Sequence, residues 1–520
     1  DLERRIESSP PGLCPVDMAR AFLELCHAQT CGKCVPCRIG LGQLNNFIRE
    51  VLDGKATMKT LDIMEQTALS IMESADCAIG YEAANMVYKG LIGYRDDYIE
   101  HIQNGRCTCT YNQPVPCVSL CPAHVDIPGY IALVGEGRYA DAIRLLRKDN
   151  PFPTTCGFIC EHPCEARCRR NMVDDSINIR GLKRVAADFA GEVDPPQCAP
   201  STGKKIAILG GGPGGLSAAY YLQLMGHQTT VYEMLPELGG MLRYGIPNYR
   251  LPKERLDDDI RAILKTGVQV KNGLKIGQDI TIQELRQQYD VVLITIGAST
   301  DKKLGLENED ADGIISAVQF LRNVGKNQII DLTGKEVAVI GGGNVSMDAV
   351  RTAKRLGAKK VSIVYRRRVA DMTALPGEIE GAVAEGIELQ TLKAPASIDV
   401  DENHHVKGIY VTPQMVSSIR DGRASIKSTG EEDIYIPCDV LIVAIGQNIE
   451  THHFEQAGIP VERGKIITKS TGAFENLPGV FAGGDCASGP ASVIKAIAAA
   501  KVVAANIDEY LGYHHEISCD

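Results

Sequence analysis

Three thiols are drawn into one short turn by the run Cys31-Gly-Lys-Cys34-Val-Pro-Cys37, and a fourth comes from Cys77, which opens the helical run Cys77-Ala-Ile-Gly80. A C-x-x-C-x-x-C turn with a distant fourth cysteine suits a cubane iron-sulfur cluster, in which thiolates cap the irons and nearby N–H groups tune the potential. Zinc is the competing ion, but zinc sites more often use two paired knuckles. A second, denser set consists of Cys107-Thr-Cys109, Cys117-Val-Ser-Leu-Cys121, then Cys156, Cys160, Cys164 and Cys168. Its repeated spacing of four places thiol turns between helices, again a cluster scaffold. Cys14 and Cys26 read as small core residues.

A different chemistry begins at Lys204. A short β-branched and aliphatic run ends at Gly210, and Gly210, Gly212 and Gly215, with Pro213 and Gly214 between them, have the G-x-G-x-x-G spacing. Such a turn lets the backbone approach a pyrophosphate, and the helix beginning near Leu216 points its N–H groups at that phosphate. The next strand, Gln228 to Tyr232, ends in Glu233, at the distance expected of a carboxylate that binds an adenosine ribose. Glycine turns also serve as plain connections, but with this acid the pattern reads as a dinucleotide site.

A second such unit runs from Lys335 through Gly341, Gly343, Asn344 and Val345 to Ser346, a serine being small enough for close helix packing in place of the third glycine. Its following strand, Val361 to Tyr365, ends in Arg366-Arg367-Arg368 instead of an acid. Losing the ribose carboxylate and gaining guanidinium forks favours the extra phosphate of NADP over NAD. A run of arginines facing water is the alternative. Near the end, Val480-Phe-Ala-Gly-Gly-Asp485 is a strand that reaches Gly484 and an acid, and Ser492 and Val493 open a helix.

The elements that must carry these residues are helical before residue 200 and alternate strand with helix after it. Helical patterns span Asp17 to His27, Ile39 to Leu52, Thr60 to Met72 and, interrupted at Gly135 and Gly137, Ile127 to Lys148; a Pro-rich linker runs from Asp194 to Gly203. At 520 residues, three or more domains are expected. The net charge of -10 argues against nucleic acid as a partner. No apolar run is long enough to span a bilayer and no signal-peptide pattern opens the chain, so a cytoplasmic location is expected; most of the 18 cysteines lie before residue 170, where metal ligation fits better than disulfides. The first residue is Asp, so processing or an upstream segment is to be considered.

The first cysteine group, with Cys-Gly-x-Cys-x-Pro-Cys-Arg and Cys-Ala-x-Gly, resembles the C-terminal cluster domain of the NADH-binding flavoprotein subunit of respiratory complex I and of related hydrogenases and formate dehydrogenases. The FMN-binding part of that family lacks a counterpart, so the resemblance implies a cluster and no NADH site. The second group, with Cys121-Pro-Ala-His-Val-Asp-Ile-Pro, Asn150-Pro-Phe-Pro and Cys164-Glu-Ala-Arg-Cys168, is similar to the N-terminal module of the glutamate synthase small subunit. Dihydropyrimidine dehydrogenase and the large subunit of the NADH-dependent ferredoxin:NADP oxidoreductase share that module. It carries two interleaved 4Fe-4S clusters. The resemblance implies Cys107, Cys109, Cys117 and Cys168 for one and Cys121, Cys160 and Cys164 for the other. Two departures stand out: C-x-C with a longer gap to the third cysteine replaces the usual C-x-x-C at the start, and Lys183 occupies the position of a Gln or Glu ligand, so that Cys156 or a nearby group substitutes or the second cluster differs.

The same family extends the match through Glu237-Leu-Gly239-Gly240-Met241-Leu-Arg243 and Arg250-Leu-Pro252. There the double glycine lies against the flavin diphosphate and the late Asp binds the ribityl chain. The implied fold class is α/β, with two Rossmann-like dinucleotide-binding domains preceded by two mainly helical iron-sulfur domains. Residues 1–104 form the complex-I-like domain, 105–200 the two-cluster domain, 201–300 and 446–520 a split FAD domain, and 301–445 the inserted NADP domain. After Cys198 only the scattered Cys438, Cys486 and Cys519 occur, so the redox-active pair of flavin disulfide reductases is missing. The resemblance therefore implies an electron-transfer subunit using FAD, NADP(H) and up to three 4Fe-4S clusters, in which no side chain is needed as a catalytic acid or base. Its expected setting is an NADH/ferredoxin/NADP transhydrogenase, electron-bifurcating or not, with NADH-dehydrogenase-like flavoprotein and thioredoxin-like 2Fe-2S subunits and ferredoxin as partners. An NADP-linked hydrogenase or formate dehydrogenase, a glutamate synthase small subunit, and a scaffold with vestigial sites are the rivals.

Overall fold

Leu41, Leu44, Ile48 and Val51 recur at helical spacing, and helix Leu41–Leu52 buries all four against Val16 and Leu23 of helix Pro15–Ala28 and Leu61 and Met64 of helix Met58–Ser74. Ala78–Gly93 and Arg95–Asn104 complete this bundle, and its first cysteine turn runs into a five-residue π-helix, Pro36–Gly40. The coordinates are a computed structural model describing residues 14–105, 115–328, 330–420 and 423–515. The chain divides into two units, Asp1–Cys121 with His162–Ile179, and Pro122–Glu161 with Arg180–Asp520.

The stretch 105–200 is therefore shared. The short helices Pro116–Leu120 and Pro163–Ala166 pack together in the first unit and carry Cys117, Cys164 and, just beyond their ends, Cys121 and Cys168. Helices Ile127–Gly135, Tyr139–Asp149 and Pro153–Ile159 belong to the second unit. The N–H groups at the start of the last one explain its attachment: Thr154 and Thr155 donate at 3.2 and 2.7 Å to the buried carboxylate of Asp259, on helix Lys253–Leu264. Lys501 likewise donates to Asp149.

Strand Lys205–Leu209 is buried on both faces beyond its first residue, as its unbroken aliphatic run requires of a central parallel strand. Its sheet is wholly parallel, in the order Val480–Ala482, Val291–Ile294, Lys205–Leu209, Gln228–Glu233, Gln269–Asn272. The strand order reverses beside Lys205–Leu209, which opens a crevice at the strands' carboxyl ends. A second parallel sheet has the order Ile314–Ser316, Val440–Val443, Glu336–Ile340, Lys360–Tyr365, Glu388–Thr391 and the same reversal. Val480–Ala482 returns to the first sheet after the second is complete. The two passages between the sheets pair with each other, Thr300–Asp301 antiparallel to Gln447–Asn448. A four-stranded antiparallel sheet, within 393–437, covers the second sheet: Ile398, Ile409 and Val411 pack with Ala338, Ile340 and Leu441.

Among the described residues no helix is long and apolar enough to cross a membrane. His227, Asp508 and His515 are the one group among them whose His, Cys and carboxylate atoms lie close enough to share an ion. Their atoms are engaged with one another: Asp508 Oδ1 bonds His227 Nε2 at 2.9 Å and His515 Nδ1 at 2.8 Å, while His227 Nδ1 reaches Thr202 Oγ1. This cluster ties the end of the last helix to the start of the first sheet.

Candidate functional site

At the crevice of the first sheet the backbone is compressed to a degree that only glycine tolerates. Gly210 has φ +112°, and a Cβ there would lie 2.5 Å from the Thr295 carbonyl oxygen; one on Gly215 would lie 1.9 Å from the Gly210 carbonyl oxygen and 2.7 Å from Thr295 Oγ1. The start of helix Pro213–Leu224 is thus set directly on the strand end, with its free N–H groups facing the crevice. A second close approach is made by Gly239 and Gly240, with φ of +117° and +51°. A Cβ on Gly240 would meet the Gly212 Cα at 2.8 Å, and the Gly239 N–H donates to the Gly211 carbonyl.

These turns border an open cleft. Gly210, Gly212, Pro213, Gly214, Glu233, Gly240, Met241, Gly484 and Asp485 line it, brought together from residues 210 to 485 by the parallel sheet. Glu233 ends strand Gln228–Glu233 and is buried, accepting N–H bonds from Gly211 at 2.7 Å and Leu235 at 2.8 Å; burial pushes its carboxyl up, and the N–H groups of Leu235 and Gly211 oppose that rise. Asp485 is pushed up to about 6 by burial, opposed by the Ala491 N–H. Gly215 and Gly239 stand behind the lining as packing positions. Ser492 and Val493 begin helix Val493–Tyr510, whose Ala496 reaches the cleft. Arg243 is absent from the lining: its Nε donates to the Leu238 carbonyl and its guanidinium pairs with Asp257.

Sequence reasoning missed several lining residues. Arg322 donates to the Ser299 carbonyl at 2.6 Å, yet its buried Nε has no partner, a donor left over beside the cleft. Lys275 and Glu450 form a 2.8 Å ion pair there, next to His453. None sits at a motif spacing. Lys275 and Glu450 reach the cleft from loops, and Arg322 and His453 from helices Ala317–Gly325 and His452–Gln456.

The second glycine turn repeats the geometry. A Cβ on Gly341, with φ +147°, would lie 2.3 Å from the Ala444 carbonyl oxygen, and one on Gly342 would enter the Tyr365 ring. Gly343 precedes helix Asn344–Arg355, with Val345 and Ser346 in its first turn; Ser346 is fully buried and its hydroxyl unpartnered. Asn344 braces this turn, accepting from the Leu375 N–H at 3.0 Å and donating to Glu161 at 3.1 Å. Past strand Lys360–Tyr365 the three arginines part company. Arg368 is held in a two-pronged 2.8 Å pair by Asp371, and Arg367 donates one N–H to the Ala424 carbonyl. Arg366 is exposed, and among the described residues its side chain has no hydrogen-bond partner.

In the first unit Cys31, Cys34, Cys37 and Cys77 converge. Cys37 is buried, and its thiol is pushed up to about 11 by that burial, by the Cys34 hydrogen bond and by the charges of Cys34, Cys77 and Cys31. Gly80 leaves room for it, since a Cβ would stand 2.6 Å from its sulfur. The backbone N–H groups of Cys37 and Asp76 pull the Cys34 thiol down. Thiols gathered about the buried Cys37, with N–H donors beside Cys34, are a donor set suited to a polynuclear metal cluster. Burial likewise raises Cys117, to which Cys168 and Cys121 add. In the second unit Cys156 is fully buried, and burial and Cys160 raise its thiol against the pull of the nearby Lys183. Cys107 and Cys109 lie outside the described residues, as does Cys519. Cys486 and Cys438 are buried with thiols pushed up to about 12. No cysteine among the described residues lines the cleft.

Two glycine-turn crevices on parallel sheets, one of them on a split sheet, together with a convergent thiol set, define an NAD(P)H-dependent flavin and iron-sulfur oxidoreductase. The profile of the family described as pyridine nucleotide-disulphide oxidoreductase matches residues 204–500, and the chain belongs to that family. Ahead of this, residues 17–101 match the NADH-ubiquinone oxidoreductase-F iron-sulfur binding region, and residues 93–194 match dihydropyrimidine dehydrogenase domain II, 4Fe-4S cluster. The chain is 32% identical to the beta subunit of an NADP(+)-dependent formate dehydrogenase of Moorella thermoacetica, over 95% of this chain and 79% of that one. It is 34% identical to the beta subunit of an NADPH-Fe(3+) oxidoreductase of Geobacter sulfurreducens, over 96% and 79%. The small chain of glutamate synthase [NADPH] of Escherichia coli is 34% identical over 76% of this chain and 88% of that one. The resemblances drawn from the cysteine and glycine motifs are thus borne out, as is the function as an electron-transfer oxidoreductase carrying iron-sulfur domains.

Proposed function

We propose that the chain exchanges a hydride between NADP(H), held at the second glycine turn, and FAD, held in the cleft, and sends the electrons through its 4Fe-4S clusters to a partner subunit. The observation that carries NADP over NAD is Arg366, an exposed guanidinium with no side-chain partner among the described residues, at the end of strand Lys360–Tyr365, where an NAD site would place a carboxylate. Arg367, with N–H groups to spare, is its neighbour. FAD supplies the chemistry that nicotinamide lacks, taking two electrons together and releasing them singly. The residues provide position and field: Gly210, Gly212 and Gly240 admit a diphosphate to the backbone, Glu233 accepts from a ribose, Asp485 from the ribityl chain, and Arg322 offers its spare donor.

In this reading residues 201–300 with 446–520 make up the FAD domain and 301–445 the NADP domain, while the cluster-bearing stretch 105–200 is divided between two units. Cys31, Cys34, Cys37 and Cys77 hold one cluster and the second cysteine group the others. Among the described residues no cysteine lines the cleft, and this supports an exit through clusters instead of a disulfide. The relatives that span nearly the whole chain are beta subunits, which favours a cytoplasmic NADP-linked complex, formate-linked or transhydrogenase in type, over glutamate synthase. A flavoprotein with a thioredoxin-like 2Fe-2S subunit, and ferredoxin, are its partners here. Replacement Arg366→Ala tests the cofactor choice. Loss of one or more charge-assisted bonds, each worth about 1.5–3 kcal/mol, is expected to raise the KM for NADPH at least roughly tenfold and leave that for NADH unmoved. An unchanged NADPH-to-NADH preference in steady-state kinetics would remove the assignment.

A further inference from the structure

Two residues beyond the double glycine, Tyr249 and Arg250, leave the flavin-side sheet and end among side chains of the nicotinamide side. Arg250 Nη1 donates to both carboxylate oxygens of Asp348, at 2.9 and 2.8 Å, and its Nη2 pairs with Glu378 Oε1 at 2.9 Å. Glu378 in turn takes Arg351 at 2.9 Å, and Arg351 and Arg355 share Glu385 at 2.9 and 2.8 Å. The Tyr249 ring lies under both arginines, 4.9 Å from Arg351 and 4.1 Å from Arg355. Asp348, Arg351 and Arg355 occupy one face of helix Asn344–Arg355, whose N-terminus carries the second glycine turn. Arg250 and Asp348 are only 11% and 5% exposed, so this is a desolvated clamp and not a surface pair. A second contact supports the same interface. Helix Ala317–Gly325 abuts helix Met241–Tyr244 so closely that a Cβ on Gly325 would stand 3.2 Å from the Arg243 carbonyl oxygen.

We propose that Tyr249 and Arg250 form a latch that fixes the nicotinamide-binding lobe against the flavin cleft, making Arg250 and Asp348 positioning residues for hydride transfer. The inference rests on the functional reading above. The step so positioned moves two electrons and one proton as hydride from NADPH to FAD, giving NADP+ and two-electron-reduced flavin. Its rate depends on donor-to-acceptor distance, whereas nucleotide affinity depends on contacts at the glycine turn and Arg366, and the latch side chains bond Asp348 and Glu378, not these residues. A displacement of about 1 Å costs roughly a hundredfold in rate.

The test uses the full holo-chain and anaerobic stopped-flow reduction of its flavin by NADPH at several concentrations. In Arg250→Ala and Asp348→Asn the limiting rate is expected to fall about a hundredfold while half-saturation moves less than roughly threefold. Arg250→Lys, which keeps charge but not the fork, should recover part of the loss. Hydrogen exchange gives a readout independent of turnover: amides of helix Asn344–Arg355 and of residues 248–252 should lose protection together in the variants. Should either variant fail to retain flavin, Glu378→Gln at the rim of the clamp carries the same two measurements with a smaller expected loss. Wild-type limiting rate and protection in flavin-loaded variants would overturn the latch. A wild-type chain whose flavin is bleached by dithionite but not by NADPH would instead overturn the functional reading beneath it.

Discussion

Gly215→Ala is expected to yield a chain that folds and lacks flavin. The added methyl would start 1.9 Å from the Gly210 carbonyl oxygen and 2.7 Å from Thr295 Oγ1. Neither neighbour can move freely: the Gly210 N–H donates to the Tyr232 carbonyl, and Thr295 donates from its hydroxyl to the Leu209 carbonyl at 3.0 Å. Relief therefore requires helix Pro213–Leu224 to rise off the strand, taking with it the N–H groups that face the cleft. Overpacking of this kind costs about 1–3 kcal/mol, and if it falls on the bound state it lowers flavin affinity by roughly tenfold to a hundredfold. Visible absorbance per mole of protein gives the answer. Wild-type flavin content in a variant of unchanged circular dichroism would mean that the cleft is not where the flavin diphosphate sits.

Cys37→Ser should remove the first cluster without touching the flavin. Cys37 is 2% exposed, and burial first and then its thiol neighbours push its thiol up, so it sits at the buried centre of the set. A serine hydroxyl in the same place is a poor soft-metal ligand. About four irons and four sulfides per chain should be lost, with flavin content retained, because the two sites lie in separate units. Loss of a single zinc with no change in iron would show that the turn holds zinc instead.

How much of this was legible in advance depends on how local each feature is. The glycine turns are legible because each lies within one short run of sequence, even though the carbonyls that crowd Gly210 and Gly341 come from Thr295 and Ala444, far along the chain. The thiol turn Cys31 to Cys37 is local too, although its π-helical continuation over Pro36–Gly40 is not written in any periodicity. The clamp was illegible because Arg250 and Asp348 are 98 residues apart and each has an innocent local reading, an arginine before Leu-Pro and a helical acid. Arg243 shows the converse. Its position beside the double glycine reads as a cofactor contact, yet Leu238 and Asp257 satisfy its donors and take it off the cleft lining. Arg366 and Arg367 are the members of the Arg366-Arg367-Arg368 run that read as phosphate contacts, and the tertiary partner that takes up Arg368, Asp371, lies outside any sequence motif. The division of 105–200 between two units follows from Asp259 and Lys501, far along the chain, holding the helices between the cysteine turns.

The central claim is that electrons enter from NADPH at the flavin and leave through iron-sulfur clusters. An anaerobic titration of the purified chain with NADPH, and in parallel with NADH, followed by flavin absorbance and by electron paramagnetic resonance, tests it most directly. The account predicts that NADPH bleaches the flavin, that reduced-cluster signals rise with the same equivalents, and that NADH does neither at comparable concentration. Flavin bleached while every cluster stays oxidised under excess NADPH, or bleaching by NADH alone, would contradict it.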